Sequence, residues 1–310
     1  MKKLLLTGAI KLSEEYLQQL KALGFEIIFV KDERVSLQMD VSNIDAVVCN
    51  SLFLYNDITK FKKLQFIQLT SAGLERVPLD YIKKRGIKIF NAKGVYSIPI
   101  AEWVILKILE IYKKSRYFFK AQCEHKWEKQ RDLLELTDKV ATIVGFGDIG
   151  SEVAKRLKVF GAKIIGVGRR KIDSDLIDEY CSVDDLDNSL RKSDIVVLTV
   201  PLTSKTYHLI NAARLANMKD NSVLINVSRG SVIDEDALVK ALQKEKFLGV
   251  ALDVFEEEPL ATNSPLWDIE NVIITPHNSF LSDKTSNRLS GLIVENLKKF
   301  GGETSGGFGR

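Results

Sequence analysis

The strongest constraint on the fold is a repeated alternation between short apolar runs and segments with helical spacing. In the first third of the chain, the runs that predict strands are KLLLTG, EIIFV, DAVVCN, LQFIQLT and IKIF. Between the first two, LSEEYLQQLKALG has near-helical apolar spacing, with Ser13 as a candidate N-cap and Gly24 as a stop. Strands separated by helices need crossover connections, so we expect a parallel sheet.

The alternation starts again in the middle of the chain. The predicted strands there are KVATIVGFG, AKIIGVG, SDIVVLTV, SVLINVS, FLGVALDV and NVIITPH. A long helix is predicted from after Pro99 through IAEWVILKILEIYKKSRYFFKAQ, and a last one through SDKTSNRLSGLIVENLKKF. Because 310 residues exceed the usual single core, we predict two Rossmann-like, doubly wound α/β domains. One is expected at residues 99–281, and the other combines residues 1–98 with residues 282–310.

Composition and charge argue against several classes of protein. The hydrophobic fraction of 45% and the charged fraction of 28% are those of an ordinary soluble globular protein. The net charge of +4 is spread over short basic pairs, whereas nucleic-acid-binding proteins usually concentrate charge on one face. No apolar stretch approaches the length of a membrane span. We expect no nucleic-acid or membrane partner, and a small anionic ligand fits the charge equally well.

The three cysteines, Cys49, Cys123 and Cys181, are isolated in the sequence. They form no CxxC pair, which indicates neither a zinc site nor a disulfide framework, and burial as small hydrophobic side chains is expected for each. We therefore expect a reduced, cytoplasmic protein without a metal site. The tail GGETSGGFGR has no apolar pattern, so we expect it to be disordered and assign it no function.

A glycine-rich turn predicts a dinucleotide site. GFGDIG fits GxGxxG, with a strand predicted before it and a helix after it, which is the context the motif needs. The first glycine permits the tight turn, the second lets the backbone approach a pyrophosphate, and the third allows close helix packing. An ordinary glycine-rich turn is the alternative. The predicted cofactor-binding residues of the turn are Gly145, Phe146, Gly147, Asp148, Ile149 and Gly150.

The next strand indicates which dinucleotide would bind. In NAD sites an acidic residue ends this strand and bonds the ribose 2′-hydroxyl. Here the strand ends in Gly168, Arg169, Arg170 and Lys171, with no acid before Asp173. An arginine pair would bind a 2′-phosphate through charge-assisted hydrogen bonds, so NADP is favoured over NAD. Ordinary solvated loop charges are the alternative interpretation.

Three side chains suited to acid–base chemistry follow strands in the same half of the chain. Arg229 follows SVLINVS, Glu258 follows LGVALDV, and His277 follows NVIITP. Doubly wound sheets bind ligands at the carboxyl ends of their strands. Arginine binds carboxylates, histidine exchanges a proton near neutral pH, and a neighbouring carboxylate orients and stabilises the protonated ring. Each residue alone could be a turn or surface residue, and His125 and His208 are expected in surface or packing roles.

Together these segments resemble one enzyme family. VGFGDIGSEVAKRL, VPLTSKTYHLI, INVSRGSVIDEDAL, ALDVFEEEP, PLWDIENVIITPH and NAKGVYSIPIAEW are similar to the D-isomer-specific 2-hydroxyacid dehydrogenases. The branch that the resemblance suggests is the one that reduces glyoxylate or hydroxypyruvate, and bulkier 2-oxo acids stay open as substrates. The resemblance implies a flavodoxin-like substrate domain made of both chain ends, a Rossmann NAD(P)-binding domain between them, and a homodimer. The implied reaction is hydride transfer between NADP(H) and a small 2-oxo acid or D-2-hydroxy acid.

The resemblance also implies roles for individual residues. Arg229 would anchor the substrate, Glu258 would pair with His277, and His277 would act as the acid or base. Asp253 of LDV would lie near the nicotinamide, and Pro201 of VPLT joins the cofactor-binding residues. The implied substrate-binding residues, which include a loop offering backbone amides to a carboxylate, are Ser71, Ala72, Gly73, Arg229 and His277.

Other features set limits on the resemblance. The turn from Lys93 to Tyr96 would line the pocket, and a simple turn before a helix is the alternative for residues 71–73. Trp103 stands where many members have histidine, and Asn278 to Phe280 replace a small, glycine-containing run, so the pocket shape is open.

Two alternatives to this function remain open. One is an NAD-dependent enzyme of the phosphoglycerate dehydrogenase type. The absence of an acid after Gly168 and of a following regulatory domain argue against it. The other is a non-catalytic NAD(P)-sensing binding protein, against which the complete set of Arg229, Glu258 and His277 argues. The related formate dehydrogenases pair their histidine with glutamine, so Glu258 also argues against that branch.

Overall fold

The computed structural model describes residues 1–10, 13–171 and 174–302, which divide into two compact units. The first unit combines Met1–Tyr96 with the chain from Ser282 onward, and the second is Ser97–Leu281. Each unit is built around its own parallel sheet with helices. The predicted fold class, two Rossmann-like parallel-sheet α/β domains, is confirmed, whereas the role of each unit stays a prediction.

In the described part of the first unit, five parallel strands pair in the order β2-β1-β3-β4-β5, a flavodoxin-like order. The strands are β1 Lys2–Thr7, β2 Phe25–Val30, β3 Ala46–Cys49, β4 Phe66–Leu69 and β5 Lys88–Phe90. The helices are α1 Glu14–Ala22, α2 Leu52–Tyr55, α3 Leu79–Lys84 and α10 Thr285–Gly302. Every residue of β3 and β4 is buried. This explains why β3 is a continuous apolar run and why β4 is apolar except for Gln68, which is hydrogen-bonded to Asn296.

In the described part of the second unit, seven parallel strands pair in the order β12-β11-β10-β9-β6-β7-β8. The strands are β6 Val140–Val144, β7 Lys163–Gly168, β8 Glu179–Ser182, β9 Ile195–Leu198, β10 Ser222–Asn226, β11 Phe247–Leu252 and β12 Val272–Ile274. The helices are α4 Ser97–Tyr112, α5 Ser115–Cys123, α6 Asp148–Val159, α7 Leu186–Lys192, α8 Ala212–Asn217 and α9 Glu235–Leu242. The strand order reverses between β6 and β9, where doubly wound sheets bind ligands.

Local signals at the first helix are confirmed. The Ser13 hydroxyl caps α1 by accepting a hydrogen bond from the Tyr16 amide at 3.1 Å. Gly24 follows the helix in the left-handed region, with φ +81°, and its amide donates to the Lys21 carbonyl at 2.9 Å. A polar cap at the start and a glycine past the end therefore delimit this helix as the sequence predicts.

The single long helix predicted after Pro99 is wrong. The structure has α4, which begins at Ser97, and a separate α5, with Lys114 between them in the left-handed region at φ 50°. The chain returns after α5, and the Leu134 amide donates to the Tyr112 carbonyl at 3.1 Å. The Lys114 ammonium also donates to the Asp132 carboxylate at 2.5 Å. These contacts hold the returning segment against the end of α4 and stabilise the turn between α4 and α5.

Other expectations need correction or lie outside the described residues. Strand β8 was not predicted, because EYCS contains only one buried residue, Cys181, and so carries no apolar run. Cys49 and Cys181 are buried free thiols as expected, but Cys123 at the end of α5 is exposed, so its predicted burial is wrong. Asp173 and residues 303–310 of the tail lie outside the described residues.

Two properties of the described residues bear on possible partners. No described helix combines the length and the apolar character needed to cross a lipid bilayer. No group of three or more His, Cys, Asp and Glu side chains in this part of the chain is arranged to hold a metal ion.

Candidate active site

The glycine-rich turn joins β6 to α6 and begins with a residue that only glycine suits. Gly145 has φ +100°, and a Cβ there would lie 2.7 Å from the Val200 side chain. The Thr199 hydroxyl donates to the Gly145 carbonyl at 2.6 Å. The turn is therefore tied to the end of β9, its neighbour at the reversal of strand order.

The rest of the turn leaves the first turn of α6 open to an anion. Gly147 caps α6 and a Cβ there would meet open space, whereas a Cβ on Gly150 would lie 2.6 Å from the Gly145 carbonyl oxygen. Phe146 is buried and packs over β7, while Asp148 is exposed and Ile149 half-buried. A helix N-terminus packed this closely, with exposed amides, fits the pyrophosphate of a dinucleotide.

Three more predicted cofactor residues, Arg169, Arg170 and Pro201, lie beyond the carboxyl ends of β7 and β9, the strands that flank β6. Arg169 and Arg170 follow β7 and are exposed. Neither guanidinium forms a hydrogen bond or ion pair with another described residue. Pro201 lies beyond β9, and its carbonyl accepts a hydrogen bond from the Thr206 hydroxyl at 2.7 Å. The loops after β6, β7 and β9 thus carry all the predicted cofactor residues except Asp253.

Arg229 follows β10 in a turn that touches the next loop. Its side chain is half-buried, and Nη1 donates to the Ser228 carbonyl at 2.7 Å. A Cβ on Gly230 would lie 1.8 Å from the carbonyl carbon of Phe255. The backbone of the loop after β11 therefore rests directly on the backbone of the turn that carries Arg229.

Glu258 and His277 form the pair that the sequence predicts. Glu258 Oε2 lies 2.8 Å from His277 Nδ1, and each side chain is 37% exposed. The other carboxylate oxygen, Oε1, accepts a hydrogen bond from the Phe255 amide at 3.2 Å. Because Nδ1 faces the carboxylate, Nε2 is the ring nitrogen left for a substrate.

Asp253 is buried beneath the turn that carries His277. Its Oδ1 accepts hydrogen bonds from the Thr275 hydroxyl at 2.5 Å and the Asn278 amide at 3.0 Å. Its Oδ2 accepts one from the Ser279 amide, also at 3.0 Å. His277 itself has φ 49°, in the left-handed region. The Asp253 carboxylate holds the Thr275 side chain before it and the backbone amides of Asn278 and Ser279 after it.

Of the residues that depart from the family pattern, Phe280 contacts this turn, whereas Trp103 pairs with a lysine of its own helix. The Phe280 ring meets the His277 ring edge-on, with centroids 6.2 Å apart. Trp103 lies on α4, and the Lys107 ammonium lies 5.6 Å from the centre of its ring. Phe280 thus forms one wall beside the imidazole, where a small residue would leave space.

The predicted substrate loop follows β4 in the first unit, and its carbonyls are all engaged. The Thr70 carbonyl accepts from the Tyr96 hydroxyl, the Ser71 carbonyl from the Ala92 amide, the Ala72 carbonyl from Asn91, and the Gly73 carbonyl from Ser71 Oγ. Burial raises the pKa of Tyr96, so its hydroxyl stays a neutral donor. The amides of residues 71–73 donate to no other described residue, which suits them to bind an anion.

Sequence reasoning missed some of the supporting contacts. The sequence predicts Tyr96 only in a pocket-lining turn, whereas its hydroxyl donates a hydrogen bond to the Thr70 carbonyl. The sequence predicts a surface or packing role for His208, whereas its Nε2 lies 2.6 Å from Glu256 Oε1. No spacing rule connects His208 to Glu256. The one available signal was the acidic run of three residues that Glu256 opens, just before Pro259.

Comparison with known proteins assigns the family. Residues 105–279 match the model described as D-isomer specific 2-hydroxyacid dehydrogenase, NAD binding domain. The chain belongs to this family. It is therefore an oxidoreductase of the 2-hydroxyacid dehydrogenase type, with a region matched to a nicotinamide-dinucleotide-binding domain.

Similar curated proteins carry three names. A glyoxylate reductase of Thermofilum pendens is 35% identical over 274 residues, which cover 86% of this chain and 78% of that one. A hydroxypyruvate reductase of Thermotoga maritima is 34% identical over 272 residues, covering 86% and 88%. A D-3-phosphoglycerate dehydrogenase of Methanocaldococcus jannaschii is 34% identical over 246 residues, covering 78% of this chain and 46% of that one.

Solved structures of similar proteins contain both nicotinamide cofactors. A D-lactate dehydrogenase of Aquifex aeolicus, complexed with NAD and lactic acid, has a TM-score of 0.78 at 29% identity and covers 96% of this chain and 95% of that one. A D-isomer specific 2-hydroxyacid dehydrogenase of Xanthobacter autotrophicus, in complex with NADPH and MES, has a TM-score of 0.79 at 26% identity, covering 96% and 94%.

The packing of the glycine turn predicts unequal effects for two glycine substitutions. We expect Gly150→Ala to weaken NAD(P)H binding at least about tenfold, because the new methyl group would collide with the Gly145 carbonyl. Gly291→Ala is the matched control, since it is also helical and a Cβ there meets open space. Titration of protein fluorescence with NADPH and NADH measures both. Equal dissociation constants for the two variants would contradict this account of the turn.

Proposed function

We propose that this enzyme reduces a small 2-oxo acid to the D-2-hydroxy acid, with NADPH as its preferred cofactor and glyoxylate or hydroxypyruvate as substrate. The observation that carries the proposal is the pairing of Glu258 with His277. Both residues and the glycine turn follow strands of the same sheet. Because all these strands are parallel, the pair and the turn lie at the carboxyl edge of that sheet. The names of the relatives from Thermofilum pendens and Thermotoga maritima support the choice of substrates.

The residues at this edge have complementary roles in the proposed reaction. His277 donates a proton from Nε2 to the carbonyl oxygen as the carbonyl carbon is reduced, and Glu258 stabilises the protonated ring beforehand. Arg229 binds the 2-oxo acid and aligns its carbonyl. The turn from Gly145 to Gly150 would hold the pyrophosphate of a reduced nicotinamide cofactor, which would supply the hydride when bound. Proton and hydride together complete the two-electron reduction.

Residues of the first unit are proposed to bind the substrate carboxylate. The amides of residues 71–73 donate to no other described residue, while the carbonyls of the same loop are all engaged. Backbone amides presented in this way bind carboxylates through charge-assisted hydrogen bonds. The loop needs no charged side chain to bind a carboxylate. Selection among 2-oxo acids therefore depends on residues that contact the rest of the substrate.

Arg169 and Arg170 support the preference for NADPH. Both guanidiniums are exposed at the end of β7, where an acidic residue would bind the ribose of NAD. An arginine pair favours a 2′-phosphate, and NADPH is the usual donor in reductive reactions, which supports reduction as the working direction. The similar solved structures with NAD and with NADPH leave the family able to use either cofactor.

A homodimer is proposed from an exposed apolar segment in and after α5. Phe119 is 70% exposed and Trp127 is 96% exposed, and Phe118 and Leu133 are exposed in the same stretch. An open cavity of about 910 Å³ lies beside them, lined in part by Arg116 and Phe119. Apolar surface of this kind, rimmed by charged residues, is typical of protein interfaces.

The main alternative is an NAD-dependent phosphoglycerate dehydrogenase. The relative from Methanocaldococcus jannaschii supports it, although the chain covers 46% of that protein. We would first follow NADPH and NADH oxidation with glyoxylate, hydroxypyruvate and bulkier 2-oxo acids, and cofactor reduction with 3-phosphoglycerate. Faster turnover with NADPH on glyoxylate or hydroxypyruvate supports the proposal. Turnover only with 3-phosphoglycerate and NAD would replace it, and cofactor binding without any turnover would support a sensing role.

Substitution of the acid–base pair tests the mechanism. We expect His277→Gln to lower kcat by about 10²- to 10⁴-fold, because the proton donor is lost, with cofactor binding unchanged. Glu258→Gln should lower kcat less and move the alkaline limb of the kcat/KM profile to lower pH. The sign follows because a neutral amide no longer stabilises the protonated ring.

Glu257→Gln is the matched control for the Glu258 substitution, since Glu257 is an exposed acid on the same loop. Its pH profile should match that of the unmodified enzyme. A shift of the same size in this control would mean that general loss of charge, rather than the pairing with His277, moves the profile.

The cofactor preference is tested by removing the two arginines. We expect Arg169→Ala with Arg170→Ala to raise the dissociation constant for NADPH at least about tenfold, since each charge-assisted bond contributes on the order of 1.5–3 kcal/mol. Binding of NADH should change little. Arg191→Ala, an exposed arginine on α7, is the control. Equal weakening of NADPH and NADH would show that the pair does not read the 2′-phosphate.

The dimer is tested by charging its proposed interface. Light scattering after size-exclusion chromatography should give a dimer for the unmodified protein and a monomer for Phe119→Asp with Trp127→Asp. The control is Leu54→Asp, an exposed apolar residue of the first unit. A dimer that survives the double substitution would place the interface elsewhere, and a monomeric unmodified protein would end the proposal.

A further inference from the structure

A second imidazole–carboxylate pair lies in the second unit. His208 Nε2 is 2.6 Å from Glu256 Oε1, and both side chains are partly exposed. The Tyr207 ring stacks on the imidazole, with centroids 4.0 Å apart and planes inclined by 15°. The mechanism proposed above does not use this pair, although Glu256 and Glu258 are separated by a single residue.

The pair joins three loops at the carboxyl edge of the sheet. His208 lies in the loop after β9, and its amide donates to the Ser231 carbonyl, in the turn after β10, at 2.8 Å. Glu256 lies in the loop after β11. Its amide donates to Glu235 Oε2 at 3.2 Å, and its Oε1 also accepts from the Glu235 amide at 3.4 Å. A single carboxylate, that of Glu256, therefore fixes three segments against one another.

The same loop carries Glu258 in a defined orientation. The Phe255 backbone rests on Gly230, and the Phe255 amide donates to Glu258 Oε1 at 3.2 Å. The other oxygen of Glu258 faces His277 Nδ1 at 2.8 Å. Movement of Glu256 would shift Phe255, which is covalently next to it, and so would change the direction of the Glu258 carboxylate.

We infer that His208 is a positioning residue that holds Glu256, so that the loop after β11 presents Glu258 to His277 in the orientation that supports the protonated ring. The inference rests on the proposed function in assigning His277 the role of proton donor. The juxtaposition of the two pairs through one short loop is independent of which 2-oxo acid is reduced.

Electrostatics explain why a histidine is suited to this position. Glu256 faces His208 on one side and Glu235 on the other, and Asp236 is the next acid on α9. Burial, together with the charges of Glu256 and Asp236, raises the pKa of Glu235 despite a backbone hydrogen bond that lowers it. Carboxylates this close repel one another, and a hydrogen bond donated by His208 to Glu256 offsets that repulsion. Without this hydrogen bond, the repulsion would push the Glu256 carboxylate toward solvent.

The test compares a variant that removes the donor with one that keeps a donor. We expect His208→Leu to lower kcat about tenfold, to leave KM for the 2-oxo acid within about threefold, and to move the alkaline limb to lower pH. His208→Gln should recover most of the loss, because its amide can still donate to Glu256. Glu256→Leu should resemble His208→Leu, and the double substitution should cost little more than either.

A readout that needs no turnover separates this inference from the proposed function. The chain has three histidines, so the titration of each ring can be followed by NMR after histidine labelling. In His208→Leu the His277 ring should lose its proton at lower pH than in the unmodified protein, with His125→Asn as the control. Thermal melting confirms that each variant is folded. If His208→Leu does not fold, Glu256→Leu, which removes the other partner of the same pair, takes its place.

The outcomes are distinct. If no 2-oxo acid is reduced but the His277 titration shifts in His208→Leu, the proposed function fails and the positioning role stands. If the enzyme is active and His208→Leu keeps both kcat and the His277 titration unchanged, the positioning role is overturned. A drop in kcat without any shift in titration or pH profile would also overturn it, since a merely structural defect would produce that result.

Discussion

Parallel hydrogen bonding across the second sheet determines where the candidate active-site residues of that unit lie. The glycine turn, Arg229, Glu258 and His277 are far apart in sequence, but each follows a strand of one parallel sheet. Each therefore lies at the carboxyl edge of that sheet. The order of the strands then determines which loops are neighbours. The glycine turn lies beside the end of β9, and the turn after β10 lies beside the loop after β11.

Within that edge, close backbone contacts and hydrogen bonds to one carboxylate hold the loops of the candidate site together. Gly145, Gly150 and Gly230 each stand where a Cβ would strike a neighbouring main-chain atom. The buried Asp253 carboxylate accepts three hydrogen bonds from the His277 turn. Because main-chain positions cannot relax by changing rotamers, the distance between Glu258 and His277 depends on how these loops are tied together.

The sequence predicts most of the fold because the fold depends on local patterns, whereas the pairing of Glu258 with His277 is implied by the family resemblance. Apolar runs mark the central strands, GxGxxG marks the β6–α6 turn, and strand ends mark Arg229, Glu258 and His277. It fails where tertiary contacts decide, as at Lys114, where returning chain binds the end of α4, and at β8, which lacks an apolar run. The His208–Glu256 pair belongs to the same group, since only folding brings those two loops together.

The proposed function assigns chemistry and cofactor selectivity to different parts of the second unit. Glu258 and His277 are set by loops in backbone contact, whereas Arg169 and Arg170 reach into solvent from the end of β7. A tenfold change in cofactor preference needs only about 1.4 kcal/mol, which exposed charges can supply without moving the catalytic turn. Phe280 lies between these extremes, because its ring meets the His277 ring on the turn that Asp253 anchors. A change there would alter pocket shape and imidazole orientation together, so substrate choice is tied more closely to catalysis than cofactor choice is.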